Sequence, residues 1–145
     1  MALGVTAEQD ELRDSVRRFL ADKAPLPRVR ELMDSEEGID RDVWEQVGSQ
    51  LGLVGLAIPE EYGGGGFTFA EQAIVLEELG AALYGGPYLA SGVLAATALL
   101  ASPDEGARRA RSRRGHQTGR TSLTVGAAAY PIGRYSHLPS PSKLS

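Results

Sequence analysis

Apolar residues between Thr6 and Ala24 recur at helical spacing. Leu12, Val16, Phe19 and Leu20 form one stripe, and Thr6 with Gln9 three positions on makes a capping box that starts the helix. The opposite face, with Glu8, Asp10, Glu11, Arg13, Asp14, Arg17 and Arg18, reads as solvated. Pro25 and Pro27 end this helix and leave room for a short second one over Arg28 to Met33, followed by a polar loop, Asp34 to Gly38. Asp40 then caps a third helix striped by Val43, Val47 and Leu51, with Trp44 beside them as a core residue and Gly52 at the expected C-cap.

The pattern then changes. Leu51, Leu53, Val54, Leu56 and Ile58 interleave with Gly52 and Gly55 until Pro59 stops any regular element. Glu60, Glu61 and Tyr62 lead into Gly63 to Gly66. Thr68 with Glu71 is a second capping box, so helix resumes at Phe69 with Ala73, Ile74, Leu76, Leu79 and Leu83 as its apolar face. Gly85 and Gly86 turn the chain, and Pro87 suits the start of a fifth helix, Tyr88 to Ala101, striped by Leu89, Val93, Ala96, Thr97 and Leu100. The small residues Ala90, Ala95 and Ala98 allow close helix approach, while Tyr88 and Ser91 offer polar tips to a groove. Ser102 to Glu105 announces a sixth helix, but no apolar body follows it.

Charge divides the chain at the same place. Residues 1–106 carry all 19 acidic residues and 7 basic ones, a balance of −12, whereas 107–145 carry 8 basic residues and no acid, a balance of +8. With its Gly, Ser, Thr and Pro mixture, the second part reads as a separate disordered tail. A helix start without a body and an inverted charge balance are what a slipped reading frame would leave. The alternative is a genuine basic tail. Leu79 to Pro103 holds no charged residue, yet Gly85 to Pro87 leaves only about 15 helical residues, roughly 22 Å, too short for a bilayer core. No cysteine and no charged-then-apolar leader occur, which makes the cytoplasm the expected compartment.

Chemistry is sparse. The glycine run invites a phosphate-cradle reading, but no β-branched strand precedes it and no Lys-Ser or Lys-Thr follows, so a plain flexible turn is expected. Glu77 and Glu78 point about 100° apart on a helix and do not converge on one bond, so solvation or a salt bridge is their expected role. His116 and His137 match no metal spacing, and the terminal SKLS places Ser145 beyond a peroxisomal tripeptide. No catalytic, cofactor-binding or metal residue is nominated.

The run GLVGLAIPEEYGGGG, followed by a helix carrying LEELG, resembles the N-terminal helical domain of the acyl-CoA dehydrogenases. These flavoenzymes desaturate acyl-CoA thioesters between Cα and Cβ. The resemblance extends from Val5 to Gly106 and stops there. It implies an all-α fold, with an N-terminal helical bundle domain over 1–106 and a basic, disordered or frameshifted tail over 107–145.

Enzymes of this family also have a middle β-domain and a C-terminal four-helix domain, which supply most flavin contacts and the carboxylate that removes the α-proton. The resemblance therefore implies FAD as cofactor of the full-length family, with none expected to be retained by this chain alone. It implies acyl-CoA as the family's ligand, lipid metabolism as the setting, and a homo- or hetero-oligomer of dehydrogenase subunits as the assembly. The family places its N-terminal helices against the acyl pocket, which singles out Tyr88, Leu89, Ser91 and Gly92, with the fourth helix, as a substrate-facing wall. Two alternatives stand beside this reading. One is a non-catalytic subunit docking on a complete dehydrogenase. The weaker is a nucleic-acid binder using the six arginines from Arg108 to Arg120, against which stand the acidic body and the absence of interleaved aromatics.

Overall fold

A computed structural model describes residues 4–106, and every described element is helical. The order is α1 (Ala7–Lys23), α2 (Leu26–Met33), α3 (Arg41–Ser49), two single 3₁₀ turns at Leu53–Gly55 and Glu60–Tyr62, α4 (Phe69–Ala81), a π-helix (Leu89–Ala95) and α5 (Ala96–Leu100). The expectations for residues 107–145, including a disordered or frameshifted tail and the arginine cluster, fall outside the described residues.

Local signals set most of the boundaries. Both expected capping boxes form: the Thr6 hydroxyl accepts from the Gln9 amide at 3.2 Å while the Gln9 side chain accepts from the Thr6 amide at 3.1 Å, and Thr68 pairs with Glu71 in the same way. Asp40 caps α3 by accepting from the Val43 amide at 3.2 Å. The second helix begins at Leu26, two residues earlier than the periodicity predicts, because Pro27 sits in its first turn, where its missing N–H costs nothing. Gly52 is left-handed as expected, but the C-cap of α3 is Gln50.

Helices α1 and α4 lie side by side and run in the same direction. Gln9 faces Glu71 at their starts, and Arg17 faces Glu78 further along. Val16 and Leu20 of α1, Val75 and Leu79 of α4, Val47 of α3, and Leu53, Val54 and Leu56 from the loop make the core, which Tyr88 and Val93 close from the next segment. Trp44 packs against this core half-buried. The buried side of α4 is centred on Ile74, Val75 and Leu79 and also takes in Gln72 and Glu78. Ala73 is exposed instead, and Leu83 lies past the helix end, exposed, with φ 54°.

The glycine run is an ordered clasp. The amides of Gly63, Gly64, Gly65, Gly66 and Phe67 donate to the carbonyls of Glu60, Pro59, Gly55, Ile58 and Leu56 at 2.8 to 3.2 Å. A Cβ on Gly64 would stand 2.2 Å from the Ile58 carbonyl oxygen, so this approach requires glycine. Because these donors are already committed, the loop does not fit the pyrophosphate of a flavin or nucleotide.

The fifth element departs most from its predicted form. In place of one α-helix from Tyr88 to Ala101, the chain makes a π-helix over Leu89–Ala95 and changes to α-helix only at Ala96. No helix among the described residues is long and apolar enough to cross a membrane.

Candidate functional site

The four residues expected to face a substrate lie together at the start of the π-helix, but they do not share one environment. Tyr88 is 1% exposed and donates its hydroxyl to the Leu53 carbonyl at 3.1 Å. Burial pushes its phenol up to about 12, while the neighbouring Gln72 amide pulls weakly the other way. Ser91 and Gly92 are also buried. Leu89 is the outward member at 55% exposed, and Leu94 on the same element is 61% exposed. In a π-helix hydrogen bonds reach five residues along, so the residue five positions on lies one turn above and over the same face. Leu89 and Leu94 therefore present one apolar surface.

That surface is held from behind. Gln72, buried on α4, donates its side-chain amide to the Gly92 carbonyl at 2.8 Å. The Tyr88 ring covers Gly92 so closely that an added Cβ would meet it at 3.2 Å. Sequence reasoning did not single out Gln72. Its available signal was an uncharged polar residue flanked by Phe69, Ala70, Ala73, Ile74 and Val75.

The paired carboxylates resolve in favour of a salt bridge. Glu78 is 5% exposed and accepts from Arg17 Nε at 3.0 Å, from Arg17 Nη2 at 2.8 Å and from Arg13 Nη1 at 3.2 Å. The Arg17 hydrogen bond is the main cause holding its carboxyl below the usual range, with Arg13 adding to it. Glu77 accepts from Arg13 at 2.7 Å and remains exposed. A carboxylate kept ionised between two guanidinium groups is unsuited to general-acid work, so this cluster fastens α1 to α4. The α1 face expected to be solvated is thus partly a contact surface, since Arg13 and Arg17, four apart, project onto the neighbouring helix.

The two capping boxes are themselves joined. The Gln9 amide donates to Glu71 at 2.7 Å, and this bond, with those from Thr68, lowers the Glu71 carboxyl to about 2. No cluster of three or more His, Cys, Asp or Glu fit to hold a metal occurs among the described residues. A separate apolar cleft of about 370 Å³ lies between α2 and the turn Leu83 to Gly86 and includes none of Tyr88, Leu89, Ser91 or Gly92.

For this chain of capped parallel helices, with a glycine clasp and a buried Glu78, comparisons with known proteins converge. The family description "Acyl-CoA dehydrogenase, N-terminal domain" matches residues 6–110. The chain belongs to the acyl-CoA dehydrogenase family, whose members are FAD-dependent, through this N-terminal domain. It is 42% identical over 96 residues to Acyl-CoA dehydrogenase IpdE2 of Mycolicibacterium smegmatis, covering 66% of this chain and 30% of that protein. It is 38% identical over 77 residues to the mitochondrial isovaleryl-CoA dehydrogenase of Bos taurus, covering 52% of this chain and 18% of the relative.

Among solved structures, the ChsE4-ChsE5 complex from Mycobacterium tuberculosis matches with a TM-score of 0.65 at 31% identity, over 84% of this chain and 31% of that one. A Tcur3481-Tcur3483 steroid ACAD variant matches with a TM-score of 0.64 at 30% identity, over 72% of this chain and 28% of that one. The chain thus spans about 30% of the length of the IpdE2 relative it matches.

Proposed function

We propose that the chain acts as the N-terminal domain of an FAD-dependent acyl-CoA dehydrogenase and supplies one wall of the acyl pocket. Tyr88, Leu89, Ser91 and Gly92 form this wall, with Leu89 as its contact residue and the other three fixing the helix behind it. The observation that carries the reading is the Leu89 and Leu94 surface: two large apolar side chains, more than half exposed, on a segment whose backbone is anchored from α4 and from the Leu53 loop. Cα–Cβ desaturation belongs to the assembled enzyme. This chain by itself retains no FAD and oxidises no acyl-CoA, because its glycine clasp spends its amides on its own carbonyls and its buried Glu78 is tied to arginines.

Assembly with other dehydrogenase subunits, in the cytoplasm, completes the reading. Similarity to the ChsE4-ChsE5 complex supports such an assembly. The domain is taken to end near residue 106, with 107–145 a separate tail. Two measurements test the proposal. Gel filtration of the purified chain with added FAD should yield protein without flavin absorbance, and a retained yellow fraction overturns that part. An apolar fluorescent dye should bind the chain and lose affinity on Leu89→Ser, and an unchanged titration removes Leu89 from the wall.

A further inference from the structure

We propose that Gln72 is a positioning residue for the acyl-facing wall: by pinning the Gly92 carbonyl, it holds Leu89–Ala95 in π rather than α register and so keeps Leu89 and Leu94 on one face. This rests on the reading that the Leu89 and Leu94 face meets an acyl chain, and it adds the residue that sets the shape of that face.

The first support is hydrogen-bond accounting. Where a π-helix passes into an α-helix the ladder changes its reach, and a carbonyl at such a junction needs a donor from outside the ladder. The Gly92 carbonyl receives one from Gln72 Nε2 at 2.8 Å, four residues before α5 begins at Ala96. A side chain inserted at such a place is a recognised cause of helix irregularity. The second support is burial. Gln72 is 3% exposed in the middle of an apolar helix face, a costly place for an amide unless it is hydrogen-bonded. The third is the grip from the other side, where the Tyr88 ring lies on Gly92 and the Tyr88 hydroxyl is fixed to Leu53. Gly92 is therefore clamped between two elements, and the register of its turn is set by them.

Register matters because of angle. In an α-helix the residue five positions on is displaced by about 140° around the axis, since each residue advances about 100°. A change to α register would swing Leu94 away from Leu89 and divide the apolar face, altering the width of groove offered to an acyl group.

The test uses the chain itself and the variant Gln72→Met, which keeps side-chain length and removes the donor. NMR hydrogen-bond couplings across Leu89–Ala95 are expected to change from five-residue to four-residue reach. Binding of 1-anilinonaphthalene-8-sulfonate is expected to weaken about fivefold, the effect of one half-exposed leucine lost from a shared face. Five-residue couplings persisting in Gln72→Met overturn the pin. A register change that leaves dye affinity untouched upholds the pin and removes the Leu89 and Leu94 face from the functional reading. Should Gln72→Met lose its helical circular dichroism, Gln72→Asn, whose amide is one methylene too short to reach Gly92, is expected to give the same register change, and its failure to do so overturns the proposal.

Discussion

The α1–α4 seam and the segment from Tyr88 to Leu100 pack on one core, yet they are ordered by opposite means. Each helix of the seam carries its own side-chain cap, and the polar pairs Gln9–Glu71, Arg13–Glu77 and Arg17–Glu78 run along its edge. The later segment has no side-chain cap at either of its two helices, and it changes helical type partway along. Its order comes from Leu53 and Gln72, distant residues that bind its hydroxyl and its carbonyl. A helix that closes its own ends can be described from its own sequence, whereas one held by its neighbours takes the register they impose.

The largest expected effect tests that dependence. Tyr88→Ala removes the 1%-exposed side chain that fills the core beside Leu53 and Gly92 and is expected to cost about 4 kcal/mol in urea unfolding. A cost below about 1 kcal/mol, the value of a lone hydrogen bond, would show that the segment does not depend on this anchor.

Glu78→Gln probes the seam and should cost about 2 kcal/mol at pH 7, since it weakens hydrogen bonds from two guanidinium groups without opening a cavity. The effect stays modest because Arg17 is largely solvated. Its pH dependence has a definite sign. The folded-state pKa of Glu78 lies below its unfolded value of about 4.3, so its contribution is complete above that pH and disappears as pH falls through the folded value. Glu71 behaves alike, with its loss extending toward about pH 2. Stability measured from pH 6 down to pH 2 should therefore fall less steeply in Glu78→Gln than in the native chain, and parallel curves would contradict the ion-pair account.

Thr68→Ala removes the α4 cap and is expected to cost about 1 kcal/mol, with faster amide exchange confined to the first turn of α4. Exchange that speeds up equally across Leu89–Ala95 would blur the contrast between the two regions. The smallest effect belongs to Leu94→Ser. Being exposed, it should alter stability by less than about 0.5 kcal/mol while reducing dye binding, so a large stability loss would mean that Leu94 packs inside the chain.

Much of the fold could be read from short-range patterns. Thr6 with Gln9, Asp40, and Thr68 with Glu71 announce helix starts because the donors they satisfy lie within three residues. The stripes of Val16 and Leu20 on α1 and of Val43 and Val47 on α3 identify core faces because helical periodicity is itself local. The glycine run was legible as a turn, and its ordered form was hidden because four of the five carbonyls that receive its amides precede it by five to eleven residues.

What the sequence by itself determined was the all-helical class, most helix starts and the family, all carried by contiguous residues. Only the tertiary structure decided that Glu78 is a buried ion-pair partner, that Leu89 faces outward while Tyr88, Ser91 and Gly92 face inward, and that residues 89–95 are π-helical. The physical reason is sequence separation. Arg17 lies 61 residues from Glu78, Leu53 lies 35 from Tyr88, and Gln72 lies 20 from Gly92, so the hydrogen bonds that fix these features exist only once the helices have packed together.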